Sequence, residues 1–171
     1  MSDVEVWGDS HLSRWIGVGA KDILAADIPY AGHNLIANNA VPGYQVSQWM
    51  NAYLQFSSAP NVIVSAGTNE ALGIHQGIVD IDDVYNWWTC LTRTAKSRNQ
   101  RLIWVAPLDV GFMSHIPAVT KLREWLYLNI VAGYVVDSGF HPTLAEVRPS
   151  DVHYTEAGSM RLSSEAVQRI I

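Results

Sequence analysis

Four short segments of this chain carry the side chains that acyl transfer requires: Gly8-Asp9-Ser10, Pro42-Gly43, Gly67-Thr68-Asn69-Glu70 and Asp151-Val152-His153. Opening an ester needs an activated hydroxyl, a base to take its proton, and hydrogen-bond donors for the oxyanion. Ser10 can supply the hydroxyl. His153 can supply the base, because an ordinary imidazole is mostly neutral at pH 7. The backbone N–H groups of Ser10 and Gly43 and the side-chain amide of Asn69 can be the three donors. Glycine suits position 43 because a residue without Cβ lets substrate approach the backbone. Asn69 donates without carrying a titrating charge.

Each of these residues also has a plainer reading. Ser10 can cap a helix, Gly43 after Pro42 can be a turn glycine, and Asn69 can form an Asx turn. Asp9 reads as a brace for its loop, and Glu70 as a hydrogen-bond partner at a helix start. What raises the chemical reading is where the segments fall.

The chain alternates strands and helices. Val4 to Trp7 and His33 to Ala37 read as short strands, and Asn61 to Ala66 as a continuous apolar strand of the kind buried on both faces. Arg101 to Pro107 is a fourth strand stopped by proline, and Gly133 to Asp137 a fifth. Between them, Val46, Trp49, Met50, Tyr53 and Leu54 mark one face of a helix. A second helix is expected over Asp80–Arg98, capped by Asp82 or Asp83, with Val84, Trp87, Trp88, Leu91 and Ala95 on its buried face. A third runs from Pro117 to Ala132, and a last one from about Thr155 to the end. Such alternation predicts an α/β fold with a parallel sheet between two helical layers and right-handed crossovers, all in one domain over 1–171. Ligands of such sheets sit beyond the carboxyl ends of the strands. The four segments follow the first, second, third and fifth strands, so they open on one edge.

In that order and at those positions, the motifs resemble the conserved blocks of the SGNH (GDSL-like) hydrolases. Val6-Trp7-Gly8-Asp9-Ser10-His11-Leu12 looks like block I, and Asn38 to Gly43 like block II. Ser65 to Glu70 resembles block III, with Glu70 where the family usually has Asp. Val152-His153-Tyr154-Thr155-Glu156-Ala157-Gly158 is similar to block V. The resemblance runs from residue 4 to about residue 170. It implies a flavodoxin-like five-stranded sheet and hydrolysis of carboxylic esters through an acyl-enzyme, with no metal and no cofactor.

One position departs from the pattern. The family places an acid three residues before the histidine, where this chain has Ser150, and the nearest acid is Asp151. Asp151 is expected to orient the imidazole if the loop backbone differs from the usual turn; otherwise a backbone carbonyl or Ser150 holds the ring and the site is a Ser–His dyad. His141, in Gly139-Phe140-His141-Pro142-Thr143, is a rival base that lacks the following glycine and the terminal helix. His11 either lines the pocket or packs on the first helical turn. Trp15 is the one tryptophan of seven read as a substrate contact, the others being read as core.

Composition removes other classes. The net charge of −5 and eleven scattered Lys and Arg residues offer no cationic face for nucleic acid. No apolar run approaches the roughly 20 residues of a membrane span. A basic, apolar leader is not visible at the N-terminus, and neither compartment nor oligomeric state is legible. Cys90, the single cysteine, excludes a disulfide framework and reads as a buried helix thiol. Asp80-Ile81-Asp82-Asp83 fails as a calcium loop, because Tyr85 and Leu91 stand where Gly and Glu are needed. A metal-dependent phosphoesterase is the main alternative, from Asp9-x-His11 and Asp151-x-His153, although the segment around Asn69 has no histidine. A non-catalytic binding module is the second. An α/β-hydrolase is disfavoured by the lack of a Gly-x-Ser-x-Gly elbow. The expected substrate is a small ester with a short acyl group, such as O-acetyl on a carbohydrate.

Overall fold

The β-branched residues of Asn61–Ser65 and Arg101–Val105 form the two central strands of a sheet that is buried on both faces. In the computed structural model, which describes residues 1–14, 19–149 and 151–171, these are β3 and β4. They are joined by β1 (Asp3–Trp7), β2 (Asn34–Asn38) and β5 (Val136–Asp137). The order is β2-β1-β3-β4-β5, every pairing is parallel, and this is the flavodoxin-like arrangement. In register, Trp7 lies opposite Val64 and Val64 opposite Trp104, so β1, β3 and β4 end nearly level.

Six α-helices cover the sheet among the described residues: α1 (Lys21–Tyr30), α2 (Val46–Phe56), α3 (Thr68–His75), α4 (Ile81–Ser97), α5 (Pro117–Val131) and α6 (Glu156–Val167). Helix α1 packs with α6, α2 with α4, and α3 with α5. Right-handed crossovers on this strand order put α1 and α6 on one face and the other four on the opposite face, giving three layers. No described helix is long and apolar enough to cross a membrane.

The tryptophans organise the larger face. Trp7 packs on Trp49 and Tyr53 of α2, while Trp88 of α4 meets Trp104 at 5.0 Å and Trp125 at 5.4 Å. Trp88 and Trp104 are fully buried. Burying a large apolar side chain of this kind contributes about 3 kcal/mol. Glu5 is also buried, because its carboxylate accepts from Trp7 Nε1 and from the N–H groups of Ser58 and Ala59. Burial alone would raise its pKa, but those donors outweigh it and hold the carboxyl below its ordinary value.

Several boundaries differ from the sequence reading. Helix α4 is capped by Asp80, whose carboxylate accepts from Asp82 N–H at 2.9 Å, so Asp82 and Asp83 lie inside the first turn. Trp87 is only half-buried, whereas Thr92, whose hydroxyl bonds back to Trp88 O and Thr89 O, is on the buried face. Cys90 is likewise half-buried. Strand β5 holds only Val136 and Asp137, since Gly133 N–H and Tyr134 N–H close the end of α5 on Ile130 O and Asn129 O.

Candidate active site

The loop after β1 is folded by its own aspartate. Asp9 Oδ1 accepts from Ser65 Oγ at 2.7 Å and from His11 N–H at 3.0 Å, tying the loop to the end of β3. Asp9 O accepts from Ser13 N–H, which turns the chain directly after Ser10. Gly8 makes the approach possible: its φ is +148°, and a Cβ there would lie 2.5 Å from Ser65 O. Ser10 is thereby held at the carboxyl end of the sheet, 6% exposed.

Two further loops meet beside it. Gly43, with φ +77°, turns the chain between β2 and α2. Asn69 sits in the first turn of α3 and donates from Nδ2 to Tyr44 O at 3.0 Å, while Gln45 Nε2 donates to Asn69 O at 3.3 Å. An amide has two N–H groups, so one remains for another acceptor. Glu70 locks the pair: Oε1 accepts from Val46 N–H at 2.8 Å and Oε2 from Gly67 N–H at 2.7 Å. The loop ends that carry Gly43 and Asn69 are thus fixed by one buried side chain. Burial pushes the Glu70 carboxyl up to about 7, against the pull of the Val46 and Gly67 N–H groups, with the charge of Asp9 adding to the rise. Among the described residues, neither Ser10 N–H nor Gly43 N–H has an acceptor.

His153 arrives on a tight return of the chain. Val147 and Tyr154 form an antiparallel bridge, Arg148 N–H donates to His153 O, and Asp151 N–H donates to Arg148 O. Within this return Asp151 Oδ1 lies 2.6 Å from His153 Nδ1. The same oxygen accepts from Val152 N–H at 2.7 Å, and Oδ2 lies 3.3 Å from Arg148 Nη1. Partial burial alone would raise the pKa of Asp151. The His153 ring, the Val152 N–H and the positive charge of Arg148 outweigh it and hold the carboxyl below its ordinary value. A carboxylate can only accept, so His153 Nδ1 carries the hydrogen of this pair.

His11 joins the two halves. Its Nε2–H donates to Val152 O at 2.8 Å, and its ring lies 4.4 Å from Tyr154 and 6.2 Å, edge to face, from His153. Its Nδ1 lies 3.6 Å from Asp9 Oδ1. The residue after Ser10 therefore holds the residue before His153. The His11 side chain is only 2% exposed, enclosed between its own loop and the Val152-His153-Tyr154 segment.

The structure thus assembles Gly43 with Asn69, and Asp151 with His153, and docks the second pair onto the loop of Ser10. Trp15 and Ser150 lie outside the described residues. His141 is placed elsewhere, 61% exposed, with Nε2 3.4 Å from Asp137 and Nδ1 3.3 Å from Arg123. Glu70, read only as a local partner, bridges two loops. Among the described residues, no group of three His, Cys, Asp or Glu side chains is placed to hold a metal ion.

No family model matches this chain, and no curated protein matches it in sequence. Its fold does match solved structures. One is a protein described as lipolytic and of the G-D-S-L family from Desulfitobacterium hafniense, with TM-score 0.77 and 14% identity, covering 99% of this chain and 100% of that one. A second is an acetyl xylan esterase with TM-score 0.78 and 11% identity over 99% and 100% of the two chains. A third is a catalytic mutant of an acetylxylan esterase from Geobacillus stearothermophilus, with TM-score 0.75 and 13% identity over 98% and 93%. At such identities the likeness concerns the fold, and this chain has the fold of those hydrolases from end to end.

Proposed function

We propose that the chain is a serine hydrolase of the SGNH type that cleaves carboxylic esters through an acyl-enzyme. The observation that carries this reading is the 2.6 Å pair of Asp151 and His153, docked through His11 and Val152 onto the loop of Ser10. The match to esterase folds over nearly the whole chain supports it.

In this mechanism the Oγ of Ser10 attacks the ester carbonyl carbon while His153 Nε2 takes the hydroxyl proton. Negative charge then develops on the carbonyl oxygen. The N–H groups of Ser10 and Gly43 and the free N–H of Asn69 are its donors, fixed before substrate arrives. Collapse of the tetrahedral intermediate breaks the bond to the alcohol oxygen, and His153 returns the proton to that oxygen. Water then attacks the acyl-serine, with His153 again as base, and the carboxylate leaves as Ser10 is restored. Asp151 accepts from Nδ1, orients the ring so that Nε2 is the atom that takes the proton, and stabilises the imidazolium.

The acyl group in this reading is short, with O-acetyl on a carbohydrate as the leading case, in keeping with the two acetylxylan esterases among the structural neighbours. An active-site-directed organophosphonate should label the wild type and not Ser10→Ala, and a chelator should leave turnover unchanged. In a chain-length series, acetyl esters should turn over faster than octanoyl esters. A protein that no organophosphonate labels, or whose turnover a chelator removes, is not this hydrolase.

A further inference from the structure

A cavity of about 750 Å³ lies between α5 and the carboxyl ends of β4 and β5, apart from the residues of the proposed catalytic site. Its floor is apolar, made by Trp104, Val119 and Leu126, and its rim is polar. The rim is one connected array. Arg123 Nε lies 3.2 Å from Asp109 Oδ2, Arg123 Nη2 lies 3.3 Å from His141 Nδ1, and His141 Nε2 lies 3.4 Å from Asp137 Oδ2. A guanidinium only donates, so His141 Nδ1 accepts and its Nε2–H points at Asp137. Planar side chains are therefore held in place with carboxylate lone pairs left over.

Both walls of the cavity lean on the proposed catalytic centre. On one side Arg123 Nη1 donates to Pro107 O at 2.7 Å; the Pro107 ring packs against Gly67, and Leu108 N–H donates to Thr68 Oγ, directly before Asn69. On the other side Arg161 Nη2 donates to His141 O at 2.6 Å, and Phe140 packs edge to face on Tyr154, directly after His153.

The composition of the rim selects the ligand. Asp109, Asp137 and Glu124 outnumber Arg123, whose charge is already engaged, so an anion is repelled. A purely apolar ligand would bury the rim carboxylates without partners, which is costly. A neutral polyhydroxylated ring meets both demands, with hydroxyls donating to the carboxylates and C–H faces against the floor and the exposed ring of Tyr127. We propose that this cavity binds neutral carbohydrate, and that it holds the alcohol half of the ester. The second half of that statement rests on the ester-hydrolase reading above.

The test is calorimetric titration of the Ser10→Ala protein with xylotriose, cellotriose and maltotriose, and with trigalacturonate as the anionic control. At least one neutral trisaccharide should bind saturably and trigalacturonate at least tenfold more weakly. Tyr127→Ala and Asp137→Asn, both at exposed or half-exposed positions, should each weaken the neutral sugar at least tenfold while retaining the melting temperature. In the active protein, the same two substitutions should lower by at least tenfold the preference for an acetylated trisaccharide over 4-nitrophenyl acetate. Absence of binding by all three neutral sugars, tighter binding of trigalacturonate, or an unchanged preference would overturn the proposal. Sugar binding by a protein that hydrolyses no ester would instead remove the hydrolase reading and leave the cavity's ligand standing.

Discussion

Asp151 Oδ1 lies 2.6 Å from His153 Nδ1 although a single residue separates the two, because the chain between Val147 and Tyr154 doubles back on itself. The acid therefore reaches the ring from two positions upstream. Asp151→Asn keeps the side-chain volume but offers an amide, which allows the wrong tautomer. Turnover should fall by about 10⁴, as in the serine-protease template, with measurable activity left from the proposed oxyanion donors. Steady-state kinetics on 4-nitrophenyl acetate read this directly, and a loss below tenfold would show that the ring is oriented by something else.

His11 should act on rate through position. His11→Phe retains the ring against Tyr154 but leaves Val152 O without its donor. It should cost about 1–3 kcal/mol of stability and lower kcat about tenfold or more, with KM little changed. His11→Gln can carry an amide nitrogen to the same carbonyl, so it should recover a substantial part of kcat. Equal loss in both variants would argue that the histidine is only a core residue.

Glu70 gives a pH dependence with a defined sign. Its carboxyl is pushed up from 4.5 to about 7 by burial, so the folded state binds its proton more tightly than the unfolded state does. Its stability contribution is fully present below about 4.5 and is lost as the pH rises through about 7. The difference corresponds to about 3 kcal/mol. Denaturant titrations at several pH values should show wild type losing stability relative to Glu70→Gln across this window. A difference that stays flat with pH would contradict the shift.

Shortening the same side chain tests its grip on the donor loops. Glu70→Asp cannot reach both Val46 N–H and Gly67 N–H, so Gly43 and Asn69 should drift from a common target. A loss of kcat of about 10- to 100-fold is expected, short of the 10²–10³ seen on deleting an oxyanion donor outright.

The core offers a check independent of chemistry. Trp88 is fully buried between Trp104 and Trp125. Trp88→Ala should cost about 3–5 kcal/mol, measured by urea unfolding, and Trp87→Ala considerably less because that ring is half-exposed.

The alternation of apolar strands with amphipathic helices made the layered parallel sheet readable in the residues. The strands Asn61–Ser65 and Arg101–Val105 announce themselves by continuous apolar runs, and α4 by its spacing. Helices α1 and α3 were harder to read. Lys21–Tyr30 contains Pro29 and shows little apolar periodicity, and α3 opens with the chemistry-bearing Thr68-Asn69-Glu70 that reads equally as a loop. The carboxyl-edge placement of Ser10, Gly43, Asn69 and His153 followed from strand order. What sequence could not give were contacts set by loop backbone: the reach of Asp151, the grip of His11 on Val152 and the bridge made by Glu70. Each depends on a turn whose geometry no local pattern encodes, and the cavity beside α5 depends on a strand that proved only two residues long.

The bridge between Val147 and Tyr154 encloses Asp151 and His153 in the same small loop. Acid and imidazole are therefore held to one another within that loop, independently of the loop that carries Ser10. In the proposed mechanism, a disturbance that breaks the His11–Val152 bond should therefore act on Asp151 and His153 together and not on either alone.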